Sequence, residues 1–331
     1  MLAARAGVFW RATGYLGRVT DPVLVEVVRG GLVESVHHAR AVVVEPSGRT
    51  WAVGDVEAPV YARSAWKPAQ AIAMLREGLD VEGADLALSA ASHFGEDFHI
   101  AGVRRILQGA GLEESALQNT PDLPIGQAAR TDWIRAGLAA ASIAQNCSGK
   151  HAAMLRTCVR AGLPTESYLS PAHRLQSAIR GVIAELSHEP VPEPTVDGCG
   201  APAFATSLVG LARTFGTVAS ATAGPAAQVA NAYREHPEYA SGTGADDALL
   251  QGAVPGLICK AGAEGVLAAG LPDGTGIALK IMDGASRGRR ELLVALLRQV
   301  GVDAPGLAGL ATSPVLGHGE PVGTVRAVRL P

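Results

Sequence analysis

Lysine is scarce in this chain: of 28 lysines and arginines in 331 residues, only Lys67, Lys150, Lys260 and Lys280 are lysine. Arginine stays protonated in a protein, whereas a buried lysine amine can become neutral and serve as base, nucleophile or metal ligand. Codon bias also removes lysine, so its scarcity says where to look rather than what is found. Cysteine is sparse too. Cys147, Cys158, Cys199 and Cys259 are too few and too dispersed for a disulfide scaffold, which leaves reduced thiols that are buried or bind metal. No apolar run reaches the roughly 18 residues of a membrane span. A formal net charge of −3, with no basic stripe, argues against a nucleic-acid partner. There is no 20- to 50-residue repeat. The N-terminus carries Arg5 and Arg11 but no clear apolar stretch leading to a small-residue cleavage site, so no leader is expected. These absences point to a soluble cytoplasmic protein acting on something other than nucleic acid or membrane.

What is present is a chain with 48% hydrophobic and 18% charged residues, enough for a sizeable core. Short Val-rich runs at 23–28, 32–37, 41–44 and 51–53, separated by turn-forming clusters, predict antiparallel hairpins. From residue 64 to about 215 the periodicity becomes helical, with helices expected at 67–75, around 100–109, at 152–159 and at 202–211. A further helix is expected at 228–235. Strands return at 257–260, 266–269 and 277–281, followed by a helix at 291–300 and a strand at 323–330. One α+β domain follows over 1–331. Segments 1–62 and 255–331 build one antiparallel sheet, 63–254 forms an inserted helical subdomain, and a cleft lies at the junction.

Four constellations carry chemistry. In Ser64-x-x-Lys67 the spacing puts hydroxyl and amine on one helical face, where a neutral lysine can take the serine proton. Lys67 must lose several units from a model value near 10.4 to do so, which burial beside Trp66 or a second cation can supply. Taken alone, the motif reads as well as an N-cap serine beside a surface lysine. Ser92-His93-Phe94-Gly95-Glu96 reads either as a helix start capped by Ser92 or as a second cleft hydroxyl. Asn146-Cys147-Ser-Gly-Lys150-His151 and Asp197-Gly-Cys199-Gly offer two thiols and an amine suited to zinc, or two structural thiols. Lys260 at a strand end, before Ala-Gly-Ala-Glu264-Gly, can point into a cleft beside backbone N–H groups, or belong to an ordinary strand and turn.

Together, and in this order, Arg63-Ser64-x-x-Lys67, Ser92-His-x-Gly-Glu, Asn146-Cys-Ser-Gly-Lys-His151, Asp197-Gly-Cys-Gly and Lys260-x-Gly-Ala-Glu-Gly resemble the rhizobial-type (class 3) L-asparaginases of the asparaginase II family. The resemblance implies a serine β-lactamase-like or glutaminase-like fold, a homodimer, and hydrolysis of L-asparagine to aspartate and ammonia. It implies two Ser–Lys tandems, Ser64 with Lys67 and Ser92 with Lys260, and zinc held by Cys147, Lys150 and Cys199. It places Arg63, His93, Asn146, His151 and Asp197 as substrate-binding residues around the pocket. Phe94 stands where a small or polar residue is expected, which touches pocket size and substrate preference. Rival readings are a β-lactamase-like or peptidase-like serine hydrolase and a non-catalytic amino-acid-binding protein. Against the first, the chain holds neither Lys-Thr-Gly nor Ser-Asp-Asn.

Overall fold

A computed structural model describes residues 21–330. The N-terminal segment with Arg5 and Arg11, and the first twenty residues of the expected sheet segment, lie outside the described residues.

Eight strands form one antiparallel sheet. The Val-rich runs at 32–37 and 41–44 are two halves of a single strand, Leu32–Val44, because nothing between them breaks the extended backbone. Its first half pairs with Val23–Arg29, and its second half pairs with Gly276–Ile281 and Thr50–Val53. Val266–Gly270 and Ile258–Ala261 continue the sheet on one side. Glu320–Ala327 and Thr312–Gly317 continue it on the other. The sheet therefore joins strands from both ends of the chain, with helices inserted between them, as the α+β reading expects. No helix among the described residues is long and apolar enough to cross a membrane.

Alternation along the strands explains how both faces are covered. Ala41, Val43, Leu267, Ala269, Ile277, Leu279 and Ile281 turn to one face, where the Arg289–Gln299 helix buries Leu292, Leu293, Leu296 and Leu297 against them. Val42, Ala268 and Ala278 turn to the other face, against the Leu208–Ser220 helix and the remaining helices. That second face is built from small residues, so helix and sheet backbones approach closely. A Cβ at Gly276 would sit 1.8 Å from Ala212 O, and one at Gly270 would sit 2.1 Å from Phe215 O.

Two sequence expectations need correction. The helix expected at 202–211 starts later, at Leu208–Ser220, because Ser207 accepts a hydrogen bond from Gly210 N at 3.0 Å and fixes the N-terminus there. Pro202–Ala203 and Ala205–Thr206 are extended instead, paired with Thr195–Val196 and Val60–Tyr61. The helix after Ser92 is Asp97–Gln108, and its cap is Glu96 rather than Ser92. The Glu96 side chain accepts from the His99 backbone, while His99 Nδ1 accepts from Glu96 N at 3.2 Å. Ser92 is thereby released from capping. The turn Arg63–Trp66 leads directly into the Lys67–Arg76 helix, with Pro68 in the first turn, where a missing N–H costs nothing.

The close face gives a paired prediction. Gly276→Ala forces backbone apart and destabilises by about 1–3 kcal/mol or more. Gly181→Ala, at an exposed helix position with open space around its Cβ, stabilises by up to about 1 kcal/mol. Thermal denaturation should therefore move the two melting temperatures in opposite directions.

Candidate active site

The cleft is a cavity of about 460 Å³ whose wall includes Ser64, Ser92, Phe94, Asn146, Asp247 and Lys260. It lies where the helical segment meets the Ile258–Ala261 edge of the sheet. Two loops close against each other at its margin: a Cβ at Gly262 would meet Ala62 O at 2.2 Å. Arg63 (φ 52°) and Glu264 (φ 57°) on those loops hold left-handed backbone without being glycine, a strain that persists only where the surroundings enforce it.

Lys67 lies behind Ser92 and is not among the residues that line the cavity. It begins a helix in which every residue from Lys67 to Met74 is buried, and its own exposure is 1%. Its amine donates to Ala91 O and lies 3.0 Å from Ser92 Oγ and 3.1 Å from Cys147 Sγ. Burial lowers its pKa to about 8; Cys147 opposes the shift, and Lys150 and Lys260 reinforce it by like-charge repulsion. A neutral amine fits these contacts: two N–H groups donate to Ala91 O and Cys147 Sγ, and the lone pair can accept from the Ser92 hydroxyl.

The pairing differs from the sequence expectation in two respects. Among the described residues no hydrogen bond joins Ser64 to Lys67; the lysine arm is drawn toward the 91–92 loop, although Ser64 shares the cavity wall with Ser92. Lys260 is not directed at Ser92. It forms an ion pair with Asp247 Oδ2 at 3.2 Å and donates to Ala261 O at 3.2 Å, while the same carboxylate oxygen accepts from Ala261 N at 3.0 Å. Asp247 was missed in the sequence. Its only signal is the Asp246-Asp247 pair at a helix start, which reads as ordinary first-turn acid.

Behind Lys67 lies a sulfur–nitrogen cluster. Lys150 Nζ is 3.3 Å from Cys199 Sγ, and Cys147 Sγ donates to Asn146 Oδ1 at 3.4 Å. Neighbouring Cys147 and Lys150 lower the Cys199 pKa to about 5 against its burial. The Cys147 thiol is pushed up to about 12 by Cys199 and by burial. Burial opposes charge on Lys150, but the adjacent Cys199 outweighs it and raises the pKa. The cluster is thus a thiolate, a thiol and an ammonium. Among the described residues no group of three or more His, Cys, Asp or Glu is arranged for a metal. Cys147, Cys199 and Lys150 nevertheless converge as two sulfurs and one nitrogen, a donor set that suits zinc once the amine gives up its proton.

The expected substrate-binding residues divide into two groups. Asn146 lines the cavity; its Oδ1 is occupied by Gln145 Nε2 at 2.8 Å and Cys147 Sγ at 3.4 Å, which leaves its NH₂ as a donor. Arg63 holds Asp197 through Nε at 2.6 Å. Burial opposes the Asp197 charge, but Arg63 keeps the carboxylate below its usual range. Like Arg63 and Asp197, His93 and His151 are not among the residues that line the cavity. Both are fully buried, His93 Nε2 on Ser148 Oγ at 2.8 Å and His151 Nδ1 on the Tyr168 hydroxyl at 2.8 Å. Burial lowers both pKa values well below the usual range. Ser92 and Phe94 line the cavity, whereas His93 between them is fully buried.

No curated protein matches the chain. Among solved structures, Mglu in its native form is similar over 80% of this chain at 14% identity, with a TM-score of 0.46. The chain spans 65% of the length of that Mglu chain, just under two thirds. A Bacillus glutaminase is similar over 79% of this chain and 90% of its own, at 14% identity and a TM-score of 0.38. A beta-lactamase-like protein from Bacteroides dorei is similar over 76% and 88%, at 15% identity and a TM-score of 0.39. The sequence pattern of the L-asparaginase II family matches residues 25–327. That span contains every residue of the cavity wall and of the sulfur cluster behind it, and the chain belongs to the L-asparaginase II family.

Proposed function

We propose that the protein hydrolyses L-asparagine to L-aspartate and ammonia through an acyl-enzyme. The observation that carries this reading is the Lys67 amine, buried, depressed to about 8 and set 3.0 Å from a cavity hydroxyl. Ser64 attacks the side-chain amide carbon. It stands at the first turn of a helical run, after the strained Arg63, where unpaired N–H groups favour developing negative charge. Its proton passes through the Ser92 hydroxyl to Lys67. The resulting ammonium returns that proton to the amide nitrogen as the tetrahedral centre collapses, ammonia departs, and a β-aspartyl ester remains on Ser64. Water then attacks the ester, Lys67 takes its proton, and aspartate leaves a restored serine. Lys260, held in place by Asp247, keeps like-charge pressure on Lys67.

Zinc, if it binds, is held by Cys147, Cys199 and Lys150 and supplies a fixed positive charge that orders the wall behind Asn146. The functional unit is expected to be a homodimer, which light scattering tests.

The kcat/KM on asparagine should rise tenfold per pH unit below about 8 and level off above it, because only the neutral amine accepts a proton. A flat profile across that range rules Lys67 out as the base. Ser64→Ala should remove ester formation in quenched-enzyme mass spectrometry. Ser92→Ala should slow turnover by on the order of 10²–10⁴-fold while still acylating. Acylation of the Ser64→Ala variant at Ser92 would reverse the two roles. Elemental analysis of protein purified without chelator should find zinc in the wild type and none in Cys199→Ala; a metal-free wild type ends the zinc assignment.

A further inference from the structure

We propose that Phe94 is the residue that sets the permitted length of the substrate side chain, admitting asparagine and excluding glutamine. The inference rests on the asparaginase reading. Phe94 lies two residues after Ser92, and both line the same cavity. Phe94 is the wall a longer substrate would have to displace.

The ring's place is built from three directions. A Cβ at Gly242 would lie 2.2 Å from Phe94 Cγ, and a Cβ at Gly126 would lie 2.7 Å from Phe94 Cβ. Both neighbours are glycine where the ring leaves no room for a side chain. Gly126 N donates to Phe94 O at 2.9 Å, and Gly95 presses against Pro124, where a Cβ would meet the proline at 2.7 Å. On the other side, Glu96 Oε2 accepts from Thr243 N at 2.9 Å and ties the Gly242 segment to the same loop. Ile125 continues the apolar wall. A ring gripped in this way cannot swing aside, so one additional methylene in the substrate meets a rigid surface rather than a flexible one.

The test compares wild type, Phe94→Leu and Phe94→Ala on L-asparagine and L-glutamine by ammonia release. The ratio of the two kcat/KM values does not depend on how much of each preparation is folded. Each truncation should raise the glutamine-to-asparagine ratio, by ~10-fold or more for alanine, the discrimination that one methylene provides in an apolar pocket. An unchanged ratio in both variants overturns the proposal. A double-mutant cycle adds an independent check. Gly242→Ala should lower asparagine turnover more in the wild type than in Phe94→Ala, where the contact with the Phe94 Cβ remains but the ring is gone; equal losses in both backgrounds would mean the ring is not what Gly242 accommodates. A wild type that releases no ammonia from asparagine sinks the asparaginase reading instead. Calorimetry then reads the wall directly, because Phe94→Ala should improve L-glutamate binding relative to L-aspartate; unchanged selectivity would overturn the assignment of Phe94.

Discussion

Everything at this site depends on a lysine amine held out of water. An ammonium at Lys67 would be surrounded by apolar residues of a helix buried on all sides, and desolvation disfavours the charged form. The fold does not relieve that cost with a carboxylate, as it does for Lys260 with Asp247. It offers a carbonyl, a hydroxyl and a thiol, which satisfy the amine's hydrogen bonds. Cys147 still favours the charged form, but burial and the neighbouring Lys150 and Lys260 outweigh it and keep the amine's pKa low.

The two other buried lysines make sense in the same terms. Cys199 favours the charged form of Lys150 against burial, and Cys147 and Lys150 together lower the pKa of Cys199. The anionic sulfur and the cationic nitrogen, 3.3 Å apart, thus support each other's charge. Lys150 and Lys260, each beside its own anion, then repel a proton from Lys67. Three lysines within one buried region, each with different partners, divide into two cations and one base. Lys280 stands apart, half-buried, donating to Glu264 O.

The pattern of strands, the position of the helical insertion and the identity of the lysines could be read from the sequence because they depend on local periodicity and on rare residue types. The helix expected at 202–211 was misplaced since proline and alanine there are compatible with either a helix start or an extended pair; Ser207 decided it by capping. The Ser–Lys pairing was misassigned for a related reason. Spacing along a helix says which residues share a face, but a four-carbon side chain ends several ångströms from that face. Contacts from the 91–92 and 147 loops, far away in sequence, determine where its nitrogen goes. His93 and His151 looked like pocket residues through their neighbours in the motifs, yet both are fully buried, His93 against Ser148 and His151 on the interior-facing side of the Ser148–Ala161 helix. Asp247 was invisible because an acid at a helix start needs no function to explain it.

The close sheet face and the cavity are linked by the same device. On the face against the Leu208–Ser220 helix, Gly270 and Gly276 let backbone meet backbone, and at the cavity Gly262, Gly126 and Gly242 do so for loop and ring. Glycine costs conformational entropy in the unfolded chain, so a protein that uses it repeatedly in buried contacts gains something other than stability at those points. What it gains here is position: helix, strand end and Phe94 loop are each held at a distance that no side chain could span. Strained backbone at Arg63 and Glu264 is then enforced rather than merely tolerated, because the loops carrying it have no slack to relax. The buried lysine behind Ser92 and the Phe94 loop two residues on belong to the same tightly closed junction.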